Sequence, residues 1–349
     1  MLYNLQLNMK KILKSKNWLI SIIFFLVISV GVVVYFYNVK QNMPDFAVSI
    51  ILEEEKNKIK NYDLGLKNYN NKRYSEAAYK FILAGNYKDA VEKLEEVNKC
   101  IFKQLEDFSK QINIEVVTCK AGTFAMGSPD SEKGHYNNET LHIATIYQPF
   151  AIGKYEVTQD QYESIIGKNP SKFVGLSNPV EGVNWYEAVA FCEKLNQIYS
   201  SQLPVGYKFD LPTETQWEYS CRAGTITALN NGKDLISETN ICYNLNEIAW
   251  YESNSESKTH PVGQKKPNSW GIYDMHGNVW EWCKDCYGDY QVSSATKEIK
   301  PDDNTARVFR GGSWGYDAKH CRAAYRHYFC PPVKGYDLGF RIAIVPSVL

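Results

Sequence analysis

The composition of the chain changes sharply near Ile112, and that change limits what it can fold into. From Pro44 to about Gln111 the sequence is rich in lysine and glutamate, nearly free of glycine and proline, and spaced for helices. Beyond Ile112, glycine, tryptophan and tyrosine become frequent, and short apolar runs alternate with turn signals. Helix packed on helix is expected in the first part, and a mixed α and β domain with long loops in the second.

Within the helical part, 44–111, Tyr74, Ala77, Ala78 and Phe81 share one stripe, and Ala90, Val91, Leu94 and Val97 share another after Gly85-Asn86. Two amphipathic helices joined at a Gly-Asn turn make a hairpin, and the alanines let the backbones approach closely. The segment resembles a tetratricopeptide-type repeat, but a single unit buries its own face poorly. It is expected either to pack on the following domain or a partner, or to act as a helical stalk rather than a peptide-binding array.

Ahead of it, 18–37 reads W-L-I-S-I-I-F-F-L-V-I-S-V-G-V-V-V-Y-F-Y without a charge, long enough to span a hydrocarbon core of about 30 Å. A transmembrane helix is expected there, anchored at its ends by Trp18, Tyr35 and Tyr37. A cleaved secretory signal is the rival reading, but Phe36-Tyr37-Asn38-Val39-Lys40 offers no small-residue cleavage site. Lys10, Lys11, Lys14 and Lys16 precede the span and only Lys40 follows closely. The positive-inside rule then makes 1–17 a cytoplasmic tail and the main domain extracytoplasmic, periplasmic or at the cell surface, in a single-pass membrane protein.

Lysine plus arginine and aspartate plus glutamate each number 39, so no bulk field recruits nucleic acid, and no basic stripe with interleaved aromatics does so locally. Nine cysteines leave at least one thiol over if the rest pair, and the pairing is not legible from spacing.

The main domain, 113–349, opens with I-E-V-V-T-C-K-A-G-T-F-A-M-G-S, which predicts two strands around Lys120-Ala121-Gly122. Three helix starts then share one device: Thr158 with Gln161, Asn184 with Glu187, and Thr213 with Gln216 are capping boxes. The helices they open are expected to bury Tyr162, Ile165 and Ile166, then Ala188, Val189, Cys192 and Leu195, then Trp217 and Cys221, the last stopping near Gly224. After Leu235 the pattern gives only short strands and long loops, which in a compact domain usually serve function.

The ordered motifs A-G-T-F-A-M-G-S (121–128), Y-E-V-T-Q-D-Q-Y (155–162), N-P-V-E-G-V-N-W-Y-E-A-V-A-F-C (178–192), L-P-T-E-T-Q-W-E-Y (211–219), G-I-Y-D-M-H-G-N-V-W-E-W (271–282), R-G-G-S-W (310–314) and G-F-R (339–341) closely resemble the formylglycine-generating enzyme family, the sulfatase-modifying factors. The resemblance covers roughly 113–345. It implies an α+β fold, C-type-lectin-like, with much irregular structure. It also implies, for the oxidases of the family, two cysteines that hold copper and use oxygen to convert a substrate cysteine to formylglycine. Other relatives bind rather than catalyse, so membership fixes fold better than reaction.

That oxidase pattern places its two cysteines at the positions of Tyr316 and Cys321, with Ser313 lining the site and Trp280 beside an oxygen-binding region. The second cysteine is present and the first is a tyrosine. Copper(I) favours soft thiolates, and a phenol is a poor substitute. The alternatives are that Cys330, His320 or His327 completes a site around Cys321, that Tyr316 and Cys321 support another oxidation, or that Cys321 is a small buried hydrophobe or half of a disulfide.

In V-W-E-W the strand period puts Trp280 and Trp282 on one face and Glu281 on the other, where a crowded carboxylate needs a cation or donors. The resemblance implies a calcium site from Asp274, Glu281 and the carbonyls of Gly277 and Val279, an all-oxygen set; an arginine salt bridge to Glu281 is the alternative. Cys283-Lys284-Asp285-Cys286 lacks the second pair of a zinc site and reads as a structural pair or two unlinked thiols. No histidines have the spacing of the iron-dependent sulfoxide synthases, and Cys330-Pro331-Pro332-Val333-Lys334 mimics a sulfatase substrate segment only by coincidence. Two functions remain as expectations: a recognition domain for protein, peptide or glycan, steadied by calcium, or a copper-dependent formylglycine-type oxidoreductase.

Overall fold

A computed structural model describes residues 45–239, 241–290 and 305–347. The chain divides into two compact units, 1–60 and 61–349. The described residues of the first are the opening turns of a helix, α1 (Asp45–Asn70).

In the second unit, α2 (Tyr74–Ala84) and α3 (Ala90–Ser109) form the expected hairpin, with Ala77, Ala78, Ala84 and Ala90 fully buried at their contact. Gly65, in the last turns of α1, lets the Phe81 ring lie on the helix backbone, since a Cβ there would come within 2.7 Å of it. The α3 stripe differs from the expected one. Val91 is exposed, and the buried face runs Ala90, Val97, Ile101, Leu105 and Phe108. The face turns toward the following domain: Phe108 meets Tyr199 at 6.2 Å and Phe209 at 6.1 Å between ring centroids, and Asn98 Nδ2 donates to the Tyr147 carbonyl at 3.0 Å. The hairpin thus shares one apolar core with the main domain. Each large side chain so buried contributes about 1.5–3 kcal/mol.

Next come β1 (Val116–Cys119), β2 (Gly122–Met126), β3 (His142–Ile146), β4 (Phe150–Gly153), α4 (Gln159–Ile166), α5 (Trp185–Tyr199), β5 (Tyr207–Asp210), α6 (Glu214–Arg222) and the short α7 (Tyr243–Asn246). The remainder holds β6 (Trp280–Cys286), β7 (Arg307–Arg310), a 3-10 turn (Ala318–Cys321), β8 (His327–Phe329), β9 (Leu338–Gly339) and β10 (Ala343–Pro346). The two strands expected around Lys120-Gly122 form, yet they do not pair with each other. β1 joins an antiparallel sheet of order β1-β4-β10-β5, β2 pairs with β3, and a third sheet runs β8-β7-β6-β9 with β6 and β9 parallel.

All three capping boxes close, with the side chains of Thr158, Asn184 and Thr213 accepting from the third helical N–H. They start α4, α5 and α6 where the sequence places them. α6 ends at Arg222, near Gly224 as expected, and both Ala223 (φ +46°) and Gly224 (φ +95°) take positive φ there. Tyr162, Ala188, Cys192, Leu195, Trp217 and Cys221 are buried as the periodicity predicts, while Ile165, Ile166 and Val189 are half-buried.

Among the described residues no helix is long and apolar enough to cross a membrane, and this overturns the expected single-pass localisation. The span at 18–37 that carried that expectation lies outside the described residues.

Candidate functional site

The R-G-G-S turn follows β7 and brings the candidate residues together. Gly312 takes a φ of +78°, and a Cβ at that position would collide with Cys321 Sγ. Only glycine lets the turn lie directly on the thiol. Cys321 is 0% exposed, packed in a cluster with Cys242, Leu245, Tyr251 and Ala318, and burial pushes its thiol far above the ordinary range. Its carbonyl accepts from His276 Nδ1 at 2.6 Å, while Nε2 of the same ring accepts from the Asn230 N–H at 3.1 Å. Burial lowers His276 to about 4, so the ring is a neutral cross-brace.

Tyr316, where the resemblance leads one to expect a cysteine, sets its ring edge-on to Trp280 at 5.2 Å and to His320 at 5.3 Å. Trp280 also meets Phe309 at 5.2 Å and Tyr325 at 5.8 Å; it is 2% exposed, and its Nε1 has no protein partner. His320 is hydrogen-bonded to Asp317, and His327 stacks on Phe309 at 5.0 Å; burial lowers both imidazoles. Ser313 is buried and donates to Asp337 Oδ2 at 3.2 Å. The structure thus joins Trp280, Ser313 and Tyr316 into an aromatic wall with polar groups at its base, whereas the Cys321 thiol is sealed from solvent behind the glycine turn.

This arrangement does not fit a copper ion. One thiol is present, it is held protonated by burial, and its neighbour in the pattern is a ring packed against tryptophan. Cys330 is exposed while Cys321 is buried, so the two thiols stand in different surroundings. Among the described residues, no group of three or more histidine, cysteine or acidic side chains is placed to hold a metal.

The second candidate constellation lies under β6. Glu281 is fully buried; its two carboxylate oxygens accept from Arg341 Nη2 and Nε at 2.5 Å each, and Trp217 Nε1 adds a third bond at 2.6 Å. A calcium ion on that carboxylate would sit against the Arg341 guanidinium, so the set Asp274, Gly277, Val279 and Glu281 does not fit the ion with Glu281 placed in this way. Asp274 accepts from the Gly263 N–H through Oδ2 at 2.7 Å, but its buried Oδ1 has no partner; burial is the main cause that raises it to about 6. Glu156 completes the group by accepting from Asn278 Nδ2 at 2.7 Å and the Val279 N–H at 3.0 Å, its carboxyl pushed well up by burial and by Asp274 and Glu281. Three buried carboxylates therefore face one arginine.

Glu156, Glu181, Asp337 and Arg341 are site residues that the sequence reading passed over. Asp337 and Arg341 stand beside or within the G-F-R motif, and Glu181 within N-P-V-E-G-V-N-W, so the signal was their adjacency to motif residues.

Comparison with known proteins agrees with the geometry. Residues 102–345 match the Sulfatase-modifying factor enzyme 1-like domain. The chaperone protein LppX of Paenibacillus barcinonensis is 29% identical over 66% of this chain and 89% of its own length. The formylglycine-generating enzyme of Mus musculus is 32% identical, over 48% of this chain and 44% of its own. The match to the serine/threonine-protein kinase pkn1 of Chlamydia pneumoniae, 26% identical, spans 38% of that protein and 66% of this chain. The chain thus covers less than half the length of these last two. Among solved structures, Treponema denticola variable protein 1 superposes with a TM-score of 0.54 at 31% identity, over 65% of this chain and 94% of that one. PvdO from Pseudomonas aeruginosa gives 0.55 at 26%, over 66% and 93%. With the α+β fold, the R-G-G-S turn on Cys321 and a domain match across most of its length, the chain belongs to the sulfatase-modifying factor family.

Proposed function

We propose that this chain is a recognition member of the family, presenting tyrosine-rich loops backed by the buried Trp280 cluster to a polypeptide, with no two-thiolate oxidation of its own. The observation that carries this reading is the pairing of Tyr316 with Trp280 at the place where a second thiolate would stand, in front of a sealed Cys321. Aromatic side chains supply large, rigid contact area at low entropic cost; the exposed Tyr136 and the half-buried Tyr316 and His327 stand at the outer side of the cluster formed by the buried Trp280 and Tyr325. The relative named a chaperone protein, matched over most of its own length, favours a polypeptide over a glycan as the ligand.

The test is a copper(I) titration of the full chain against a chromogenic chelator, run beside Cys321→Ala, with oxygen uptake followed on a cysteine-containing peptide. Neither copper capture nor oxygen uptake is expected. Stoichiometric copper(I) bound by the parent chain and lost in Cys321→Ala, with oxygen consumption, would overturn the proposal.

A further inference from the structure

The third sheet brings two tyrosines face to face. Tyr287 directly follows β6, and Tyr328 is the middle residue of β8, where it pairs with Val308 of β7. Their rings lie 3.9 Å apart between centroids at an interplanar angle of 25°. Aromatic pairs usually stand about 4.5–7 Å apart, offset or edge to face. The other tyrosine pairs in ring contact among the described residues keep to that habit. Tyr155 and Tyr273 lie at 5.1 Å and 36°, Tyr136 and Tyr325 at 5.1 Å and 80°, Tyr62 and Tyr87 at 5.5 Å and 72°, and Tyr69 and Tyr74 at 5.8 Å and 54°.

The inner ring of the pair is held from several sides. The Tyr287 N–H donates to the Ala306 carbonyl at 2.7 Å, and its hydroxyl oxygen accepts from Asn138 Nδ2 at 2.9 Å. The Arg326 guanidinium lies 5.1 Å from the Tyr287 ring and donates through Nη2 to the Gly288 carbonyl at 3.1 Å. Tyr287 is half-buried, whereas Tyr328 is 44% exposed, so the pair meets solvent and what is dissolved in it. Each phenol has two carbons ortho to its hydroxyl, and a near-parallel stack this close sets one of them against its counterpart however the rings are turned. The spacing approaches the roughly 3–3.5 Å of a near-attack arrangement.

We infer that Tyr287 and Tyr328 are a modification site, the two halves of a dityrosine cross-link formed when hydrogen peroxide acts through a one-electron oxidant of the haem peroxidase type. Each phenol gives one electron to the oxidant and its hydroxyl proton to water, leaving two phenoxyl radicals whose unpaired spin lies partly on the ortho carbons. One C–C bond forms between two of those carbons. The two C–H bonds there then break, and their protons return through water to the oxygens, restoring both phenols. The pair loses two electrons and two protons in all, which with one hydrogen peroxide give two waters. Among the described residues β8 is the edge of its sheet, with β7 beside it. The new bond ties that edge to the end of β6 and fixes the strand that carries His327 beside Trp280.

Oxidation of the full chain with a haem peroxidase and hydrogen peroxide, followed by peptide mapping in a mass spectrometer, tests the site. The expected product is a monomer in which the peptides holding Tyr287 and Tyr328 are joined with loss of two hydrogens. It should be about tenfold more abundant than any other tyrosine–tyrosine link, because held proximity replaces chance encounter. Tyr287→Phe and Tyr328→Phe keep both rings in the sheet and should each abolish the product. Tyr243→Phe, at a residue 68% exposed and so more open to the oxidant, should leave it unchanged. Unfolding in urea before oxidation should lower its yield about tenfold. A link between Tyr287 and Tyr328 that is no commoner than others, that urea does not diminish, or that is absent while Tyr243 is oxidised overturns the site.

Discussion

Arg341→Met puts the buried charge group under β6 to a quantitative test. The guanidinium is fully buried and gives two bonds to Glu281, one to the Gly153 carbonyl at 2.9 Å and one to the Tyr273 carbonyl at 3.0 Å. Without it, Glu281 keeps only Trp217, two carbonyls lose a donor, and Glu156 and Asp274 lose the cation that offsets them. Breaking a buried pair from one side costs about 3–5 kcal/mol, because the remaining charge is left desolvated. Urea unfolding followed by tryptophan fluorescence measures the loss. Adding Glu281→Gln to the same chain removes the stranded charge and should return about half of it or more, a coupling that independent sites would not show. Millimolar calcium should stabilise Arg341→Met more than the parent, since a dication can then approach the carboxylates; a chelator should reverse that difference. A loss below about 1 kcal/mol in Arg341→Met would refute the reasoning, because an unpaired buried carboxylate cannot be so cheap.

Gly312→Ala combines a left-handed backbone with a collision at Cys321 Sγ and should destabilise by about 2 kcal/mol or more in the same unfolding assay; pairing it with Cys321→Ala should recover part of the loss. Thr213→Ala removes the cap of α6 and should cost about 1 kcal/mol, with Thr213→Ser near neutral. Asp285, which accepts from the Glu214 N–H, is raised to about 6 first by burial and then by Glu214. Its folded pKa lies above its unfolded one, so the folded chain holds the proton more firmly and the contribution of Asp285 to stability falls as pH rises from about 4 to about 6. Unfolding measured across that window should lose this falling component in Asp285→Asn.

Legibility in the sequence followed the range of the interaction. The capping boxes at Thr158, Asn184 and Thr213 are closed by residues three apart, so a local pattern was enough to place three helices. Strand pairing was not legible in the same way: β1 and β2 are neighbours in sequence, yet their partners β4 and β3 are chosen by the third dimension. Gly224 takes the positive φ its residue type allows, +95°, but the left-handed Ala223 just ahead of it is a conformation that propensity does not announce. At the site, it was the resemblance to the family's oxidase pattern, counted from Ser313, that set Tyr316 where a second cysteine is expected. The juxtaposition of Glu181 with Asp337, or of Arg341 with Glu281, joins residues from separate motifs and emerges only once the chain is folded.

The place of β10 has a consequence for how the domain is made. It lies between β4 and β5, pairing Ala343 with Ile152 on one side and with Asp210 on the other, although it is the last of the described strands in chain order. While the polypeptide emerges from the ribosome, β4 and β5 must wait with unsatisfied edges until β10 arrives between them. Such distant pairing is slow to form and leaves sticky strand edges in the interval. Synthesis that stops short of Ala343 would therefore yield a first sheet without its keystone, and aggregation rather than a smaller working domain.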